Sequence, residues 1–100
     1  MGLPVVFTPK AQEDLADIVR FIARDSSDRA RSFGNVLIDQ ATSIGDFPNI
    51  GRVVPELGDP SVRELIHGAY RIVYEVFDDP QALYVLRFWH AARGIPEIKS

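Results

Sequence analysis

The chain reads Arg63-Glu64-Leu65-Ile66-His67-Gly68-Ala69-Tyr70-Arg71-Ile72-Val73-Tyr74 in the middle of its second half, and this segment is the clearest indication of its fold. β-Branched and aromatic residues on both sides of Gly68-Ala69 predict two antiparallel strands joined by a tight turn. Arginines stand where strands usually carry packing residues. A later stretch, His90-Ala91-Ala92-Arg93, again places basic groups next to a predicted strand. These basic groups are the first candidates for a functional surface.

The same pattern extends over three consecutive strands. We predict strands over residues 62–67, 70–77 and 83–89, with a second turn at Asp78-Asp79-Pro80-Gln81. Strand alternation places Tyr70, Ile72, Tyr74 and Val76 on one face, and Arg71, Val73, Glu75 and Phe77 on the other. Because the first set is the better core face, we expect Arg71 on an open face.

The first half predicts a short strand followed by two amphipathic helices. Val5-Val6-Phe7 is the strand, and Thr8-Pro9 provides an N-cap and a proline at the first helical position. The apolar stripe of the first helix comprises Ala11, Leu15, Ile18, Val19 and Ile22, with Asp14, Asp17 and Arg20 on the other side. The second helix follows the turn at 25–28, carries Ala30, Phe33, Leu37, Ala41 and Ile44 at helical spacing, and ends before Gly45 and Pro48.

These elements predict one α+β domain over residues 1–100, with the order β-α-α-β-β-β. Two helices joined by so short a turn should form an antiparallel hairpin. We expect this hairpin to cover one face of a small antiparallel sheet and to leave the other face partly open. Residues 48–60 are rich in glycine and proline and predict a loop, and the tail from Gly94 predicts no strand.

Composition excludes several classes of site. The sequence has no cysteine, which rules out disulfides, thiolate catalysis and cysteine-based metal sites. No spacing of His67 and His90 suggests a metal site, and no apolar run is long enough to span a membrane. The net charge is −3 and the only lysines are Lys10 and Lys99, so there is no global basic excess of the kind that is typical of nucleic-acid binding, and a local arginine patch stays open as an alternative. We expect a cytoplasmic protein with no cofactor, no metal, no membrane contact and no small-molecule substrate.

The chain resembles the RelE/ParE superfamily of toxins from bacterial toxin–antitoxin pairs. Six pieces carry the resemblance in the same order along the chain, and they are Thr8–Leu15, Phe47–Arg52, Val54–Leu57, Arg63–Leu65, Tyr70–Tyr74 and His90–Arg93. The resemblance implies a RelE/ParE-like fold and a small toxin that is held inactive by a cognate antitoxin. It also implies that any DNA binding belongs to the antitoxin, whose C-terminal segment folds on the toxin.

The superfamily contains two kinds of toxin, and the resemblance alone does not separate them. RelE-like members cleave messenger RNA on the ribosome, and one version of that site uses a glutamate, an arginine and a histidine. The matching residues are Glu56, Arg71 and His90, which would respectively take the 2′ proton, hold the phosphate and protonate the leaving group. Each also has a structural alternative. Glu56 could be a solvated surface carboxylate, Arg71 could pair with Glu64 or Glu75, and His90 could be a hydrogen-bonded residue at a strand end.

The charge favours the other kind, the ParE-like inhibitor of DNA gyrase, because lysines and arginines attract a ribosome-binding nuclease to RNA phosphates, and a chain with net charge −3 and two lysines is poorly suited to this. We expect a ParD-like antitoxin as partner and gyrase as target. The residues predicted to contact target or partner are Arg63, Arg71, Arg87, Arg93 and Trp89. Ion pairing of the arginines with Glu64, Glu75 or Glu97, and core packing of Trp89, are the alternatives. A third alternative for the whole chain is a non-toxic module that only binds an antitoxin.

Overall fold

A computed structural model describes residues 2–98 of the chain. The elements, in order, are β1 (Val5–Phe7), α1 (Pro9–Ala23), α2 (Ser27–Ser43), a 3-10 turn (Ile44–Asp46), β2 (Arg52–Val53), β3 (Val62–His67), β4 (Tyr70–Asp78), β5 (Gln81–His90) and a second 3-10 turn (Ala91–Arg93). The predicted order β-α-α-β-β-β is confirmed, with the two-residue strand β2 added before β3.

Each helix begins where its capping residue predicts. The Thr8 hydroxyl accepts a hydrogen bond from the Ala11 N–H at 3.2 Å, and Pro9 occupies the first turn of α1. The Ser26 hydroxyl accepts from the Arg29 N–H at 3.2 Å and caps α2 in the same way. Neither α1 nor α2 combines the length and the apolar composition that a bilayer crossing requires.

The sheet is mixed, and this corrects the predicted antiparallel sheet. Its strand order is β1-β5-β4-β3-β2, and the pairs β2–β3, β3–β4 and β4–β5 are antiparallel. β1, however, runs parallel to β5, with Val5 beside Leu83 and Phe7 beside Val85. The α1–α2 hairpin lies between β1 and the remaining strands in sequence, and a parallel pair requires a long connection of this kind.

The helices cover one face of the sheet and form the main core. This core joins α2 and the turn after it to the two central strands. It contains Leu37, Ala41 and Ile44 on the helix side, and Ile72, Tyr74, Leu83, Val85 and Phe88 on β4 and β5. Ile72 and Tyr74 are fully buried, so the predicted core face of β4 is confirmed.

The opposite face is more covered than predicted. Val73 and Trp89 project there and are buried with Val54 and Val62 in a second, smaller core. Leu57 from the loop before β3 and Ile98 from the tail pack against this core. The face is nevertheless partly open, as expected, since Ile66 and Phe77 are 50% and 41% exposed on it. Val73 is covered because a glycine- and proline-rich loop and an irregular tail also carry apolar side chains that can be buried.

A corner between α2 and β3 is held by one tyrosine. The Gly51 N–H donates to the Tyr74 hydroxyl at 2.9 Å, and that hydroxyl donates to the Pro48 carbonyl at 2.8 Å. A Cβ at position 51 would lie 2.6 Å from the Glu64 carbonyl oxygen, so only glycine fits without a shift of the backbone. This corner fixes the loop that begins at Gly51 and leads to Glu56.

Candidate functional site

Arg71 lies at the centre of a small network of ion pairs on the face of the sheet opposite the helices. Its guanidinium Nη2 and Nη1 atoms donate to the two carboxylate oxygens of Glu56 at 2.7 and 3.3 Å. Its Nε atom lies 3.4 Å from Oε1 of Glu64. The Arg71 side chain is only 11% exposed, so this positive charge is largely taken up by its two carboxylate neighbours.

Glu64 is the buried member of this network. It lies on β3 beside Arg52 of β2, whose Nε atom donates to Oε2 of Glu64 at 2.7 Å. Its Oε1 atom makes no hydrogen bond within residues 2–98, although Arg71 is close enough for ionic attraction. Burial of a carboxylate at 1% exposure is costly unless charged partners compensate for its lost hydration. Glu64 therefore positions both Arg52 and Arg71.

The Arg71–Glu56 pair has a measurable electrostatic signature. The hydrogen bond from Arg71 lowers the pKa of Glu56 from its ordinary value of 4.5, and the same contact raises the pKa of Arg71. Because the folded pKa of Glu56 is the lower one, the pair stabilises the fold above about pH 4.5. That stabilisation is lost as pH falls through the folded pKa.

We expect NMR titration of the side-chain carboxyl groups to give Glu56 a pKa below 4.5, and the Arg71→Gln variant to return it towards that value. Asp59 is an internal control, since the pKa of its carboxyl is lowered by hydrogen bonds from Ser61 and not by an arginine. Its pKa should be the same in both proteins. An unchanged Glu56 pKa in the variant would contradict the pairing.

His90 lies on the other face of the sheet. It is paired in register with Tyr70, and the two rings meet edge to face with centroids 5.0 Å apart. Successive strand residues point to opposite faces, so Arg71 and its neighbour Trp89 project away from His90. The Nδ1 atom of His90 accepts the Ala92 N–H at 3.1 Å and caps the second 3-10 turn.

The three residues of the predicted nuclease site are thus only partly brought together. Glu56 and Arg71 are in contact, as a catalytic pair or a structural ion pair would be. His90 instead lines a cavity of about 180 Å³ under α1, together with Asp14, Ile18, Phe21 and Arg93. No cluster of three or more His, Asp or Glu side chains suited to a metal ion occurs in residues 2–98.

Arg87 is buried, which removes it from the set of exposed arginines. Its Nε and Nη2 atoms donate to the two oxygens of Asp14 at 2.7 and 2.8 Å, and its Nη1 atom donates to the Glu97 carbonyl at 2.6 Å. Asp14 Oδ2 also accepts the Phe88 N–H at 3.1 Å. Arg87 is 4% exposed and Asp14 8% exposed. The prediction that Asp14 lies on the outer side of the first helix was wrong, because this carboxylate is directed at the edge of β5.

Trp89 and Arg93 form a stack at the end of β5. Trp89 is 2% exposed and belongs to the smaller core, which is the core-packing alternative for this residue. Its indole N–H donates to the Gly94 carbonyl at 3.1 Å. The guanidinium of Arg93 lies 4.0 Å from the indole centroid, and Arg93 itself is exposed.

The predicted arginines therefore do not form one exposed patch. Arg63 donates to the Gly51 carbonyl at 2.7 Å and is half-buried on the helix-side face, where it is paired in register with Tyr74. The charge of Arg71 is balanced by Glu56 and Glu64, and Arg87 is buried. Arg93 is therefore the predicted arginine with the most accessible charge. Glu64 and Asp14 were not predicted as site residues. The position of Glu64 between apolar strand residues could have indicated a buried, paired carboxylate. The burial of Asp14 could not be predicted in this way, because it depends on a contact with Arg87, 73 positions away.

Comparison with solved structures supports the fold. A chain from the chromosomal ParDE toxin–antitoxin system of P. aeruginosa is similar with a TM-score of 0.73 and 20% identity, over 88% of this chain and 95% of that one. A chain of the RelBE2 toxin–antitoxin complex of Mycobacterium tuberculosis is similar with a TM-score of 0.69 and 18% identity, over 90% and 99%. A mutant of the E. coli toxin RelE in the free state is similar with a TM-score of 0.67 and 17% identity, over 94% and 88%.

The layout of two helices followed by a meander of strands is shared with these structures, so the fold is RelE/ParE-like, as the resemblance implied. Comparison with curated protein sequences found no significant match. A family model described as the ParE toxin of the type II toxin–antitoxin system parDE matches residues 5–95, which is nearly the whole chain. The chain therefore belongs to the ParE toxin family of type II toxin–antitoxin systems.

Proposed function

We propose that this toxin acts as a ParE-like inhibitor of DNA gyrase and is neutralised by a ParD-like antitoxin. The observation that carries the proposal is the separation of His90 from the Glu56–Arg71 pair by the thickness of the sheet. DNA contact belongs to the antitoxin on this proposal, and the toxin and antitoxin form a hetero-oligomer.

The separation disfavours the alternative of messenger RNA cleavage. A base, a phosphate-holding cation and an acid must surround a single phosphodiester to act on it. Here the candidate acid, His90, faces α1, whereas Glu56 and Arg71 lie on the opposite face. Arg71 would also have to release two carboxylates before it could hold a phosphate. A target made of protein requires none of these groups to converge.

Charge supports the same conclusion. Between Lys10 and Lys99 the chain has no lysine, and several arginines are engaged by carboxylates. Binding among ribosomal RNA phosphates depends on many accessible cations. A protein target can instead be recognised through a few arginines held in a fixed geometry. Arg93, exposed and held on the Trp89 ring, is the residue that we assign to this contact.

The test compares gyrase and translation directly. Purified toxin should inhibit DNA supercoiling by gyrase and leave cell-free translation intact. Arg93→Ala should raise the concentration for half-inhibition about tenfold, equivalent to roughly 1.4 kcal/mol of lost binding. Arg24→Ala is the matched control, because Arg24 is also an exposed arginine resting on an aromatic ring, at 5.7 Å from Phe21, and should leave inhibition unchanged.

The other outcomes decide between the alternatives. Cleaved messages and a stop in translation that depend on His90 would contradict the proposal and favour the nuclease, with Glu56 and Arg71 in catalytic roles. Absence of both effects, together with binding to the antitoxin, would indicate a non-toxic binding module. Equal losses in Arg93→Ala and Arg24→Ala would show that Arg93 has no special part in the contact.

A further inference from the structure

A groove on the β4–β5 hairpin takes no part in the proposed contact with gyrase. It measures about 280 Å³ and is lined by Phe77, Asp79, Pro80, Tyr84 and Leu86. The rings of Phe77 and Tyr84 meet edge to face with centroids 5.1 Å apart. Phe77 is nevertheless 41% exposed, which is unusual for a phenylalanine that already has an aromatic partner. The groove therefore offers an apolar, aromatic-walled surface to solvent.

Carboxylates surround this groove. Asp79 lines it, and Glu75 is paired in register with Tyr84. Asp59 joins them through Ser61, whose hydroxyl lies 2.7 Å from the Asp59 carboxylate and 3.1 Å from that of Glu75. The salt bridges within residues 2–98 include none of these three acids. The negative charge at the groove is thus uncompensated by the described part of the chain.

Other exposed aromatic residues are not in this setting. Phe21 is 66% exposed, but the Arg24 guanidinium lies over its ring, and Arg20 lies nearby. Phe47 is 67% exposed, and Asp46 is the only acid that lines its shallow pocket. Only at Phe77 does an aromatic pair with a groove coincide with several acids that lack a basic partner in residues 2–98.

We propose that the β4–β5 groove binds a basic amphipathic segment of a partner protein. An apolar side chain of that segment enters between Phe77 and Tyr84, and lysine or arginine residues on either side of it meet Glu75 and Asp79. Aromatic walls provide the anchor, since a desolvated aromatic contact at the centre of an interface contributes most of its energy. The carboxylates select the partner, since complementary charge governs recognition and encounter rate. An acidic segment is excluded by the same charges.

The test uses two synthetic peptides of twelve residues that share one apolar face, with lysine in one and glutamate in the other at every charged position. Fluorescence anisotropy with the full chain measures each dissociation constant. We expect the lysine peptide to bind at least tenfold more tightly than the glutamate peptide, and its affinity to fall as salt is raised. A third peptide, with the lysines kept and the apolar residues scattered, should bind at least tenfold more weakly.

Two variants locate the site. Phe77→Ala should weaken binding of the lysine peptide about tenfold. The double variant Glu75→Gln/Asp79→Asn keeps the aromatic pair, and should weaken binding and flatten its salt dependence. Phe47→Ala, a matched exposed phenylalanine outside the groove, should leave the dissociation constant within about twofold. Equal binding of the lysine and glutamate peptides, no binding of the lysine peptide, or equal affinity in Phe77→Ala and the parent chain would each overturn the proposal.

Discussion

Replacement of Asp14 by alanine is expected to destabilise the fold by about 3–5 kcal/mol, because it leaves a buried guanidinium without its counter-ion. Arg87 would lose both of its hydrogen bonds to the carboxylate, and the Phe88 N–H would lose its acceptor. A domain of this size has a total stability of roughly 5–15 kcal/mol, so the loss is a large fraction of it. Chemical denaturation of the purified variant measures the change directly.

Asp17→Ala is the matched control for this prediction. Asp17 lies one turn later on α1 and also pairs with an arginine, Arg20, but both side chains are exposed. Such a surface pair should contribute at most about 1 kcal/mol. The double variant Asp14→Ala/Arg87→Ala should cost less than the sum of the two single variants, because it removes the unpaired charge. A cost for Asp14→Ala as small as that of Asp17→Ala would refute the assignment.

Trp89→Ala should be as damaging, at about 3–5 kcal/mol, for a different reason. Trp89 is the largest side chain in the smaller core and is 2% exposed, so its removal leaves a cavity beside Val73 and Val54. It also removes the ring on which the Arg87 and Arg93 guanidiniums lie, at 4.8 and 4.0 Å from its centroid. The indole hydrogen bond to Gly94 is lost as well. Thermal and denaturant unfolding measure the effect.

The variant Trp89→Phe separates the contribution of the ring to core packing from the contribution of the indole N–H to holding the segment at Gly94. Phenylalanine keeps an aromatic ring in the core but cannot donate to the Gly94 carbonyl, so we expect a smaller loss of stability than for alanine. If Arg93 contacts gyrase, Trp89→Phe should weaken inhibition less than Trp89→Ala, since phenylalanine still offers a ring on which Arg93 can rest. Full inhibition by Trp89→Ala at a temperature where it remains folded would show that the ring does not position Arg93.

Local signals in the sequence predict the helices, strands and turns well, but they predict less well which of these elements lie next to one another in the fold. Thr8-Pro9 fixes the start of α1, and Gly68-Ala69 fixes the turn between β3 and β4. The parallel placement of β1 could not be predicted from three residues, because nothing in Val5–Phe7 specifies a partner strand. Asp14 shows the same limit. A helical period sorts residues by polarity, whereas the burial of this carboxylate depends on Arg87 at the far end of the chain.

At the candidate site, the structure agrees with only some of the positions that the sequence predicts for its residues. Arg71 was predicted to face away from the main core and to have a glutamate alternative in Glu64, and both features are present. The pairing with Glu56 requires the loop after Gly51 to fold back over the sheet, which strand alternation cannot reveal. The position of His90 follows from register, and register between β4 and β5 includes an irregularity at Val73/Tyr74 that no local pattern predicts.

The parallel pairing of β1 with β5 sets the order in which the toxin can mature during synthesis. Val5 pairs with Leu83, and Asp14 binds Arg87. The contacts of β1 and α1 with β5 can therefore form only after more than seventy further residues have been synthesised. Contacts of such large sequence separation form slowly, because the intervening chain must lose its freedom first. The α1–α2 hairpin is synthesised far earlier, but its apolar side can pack against the sheet only after β4 and β5 have been made. The main core can therefore close only after β5 has been synthesised.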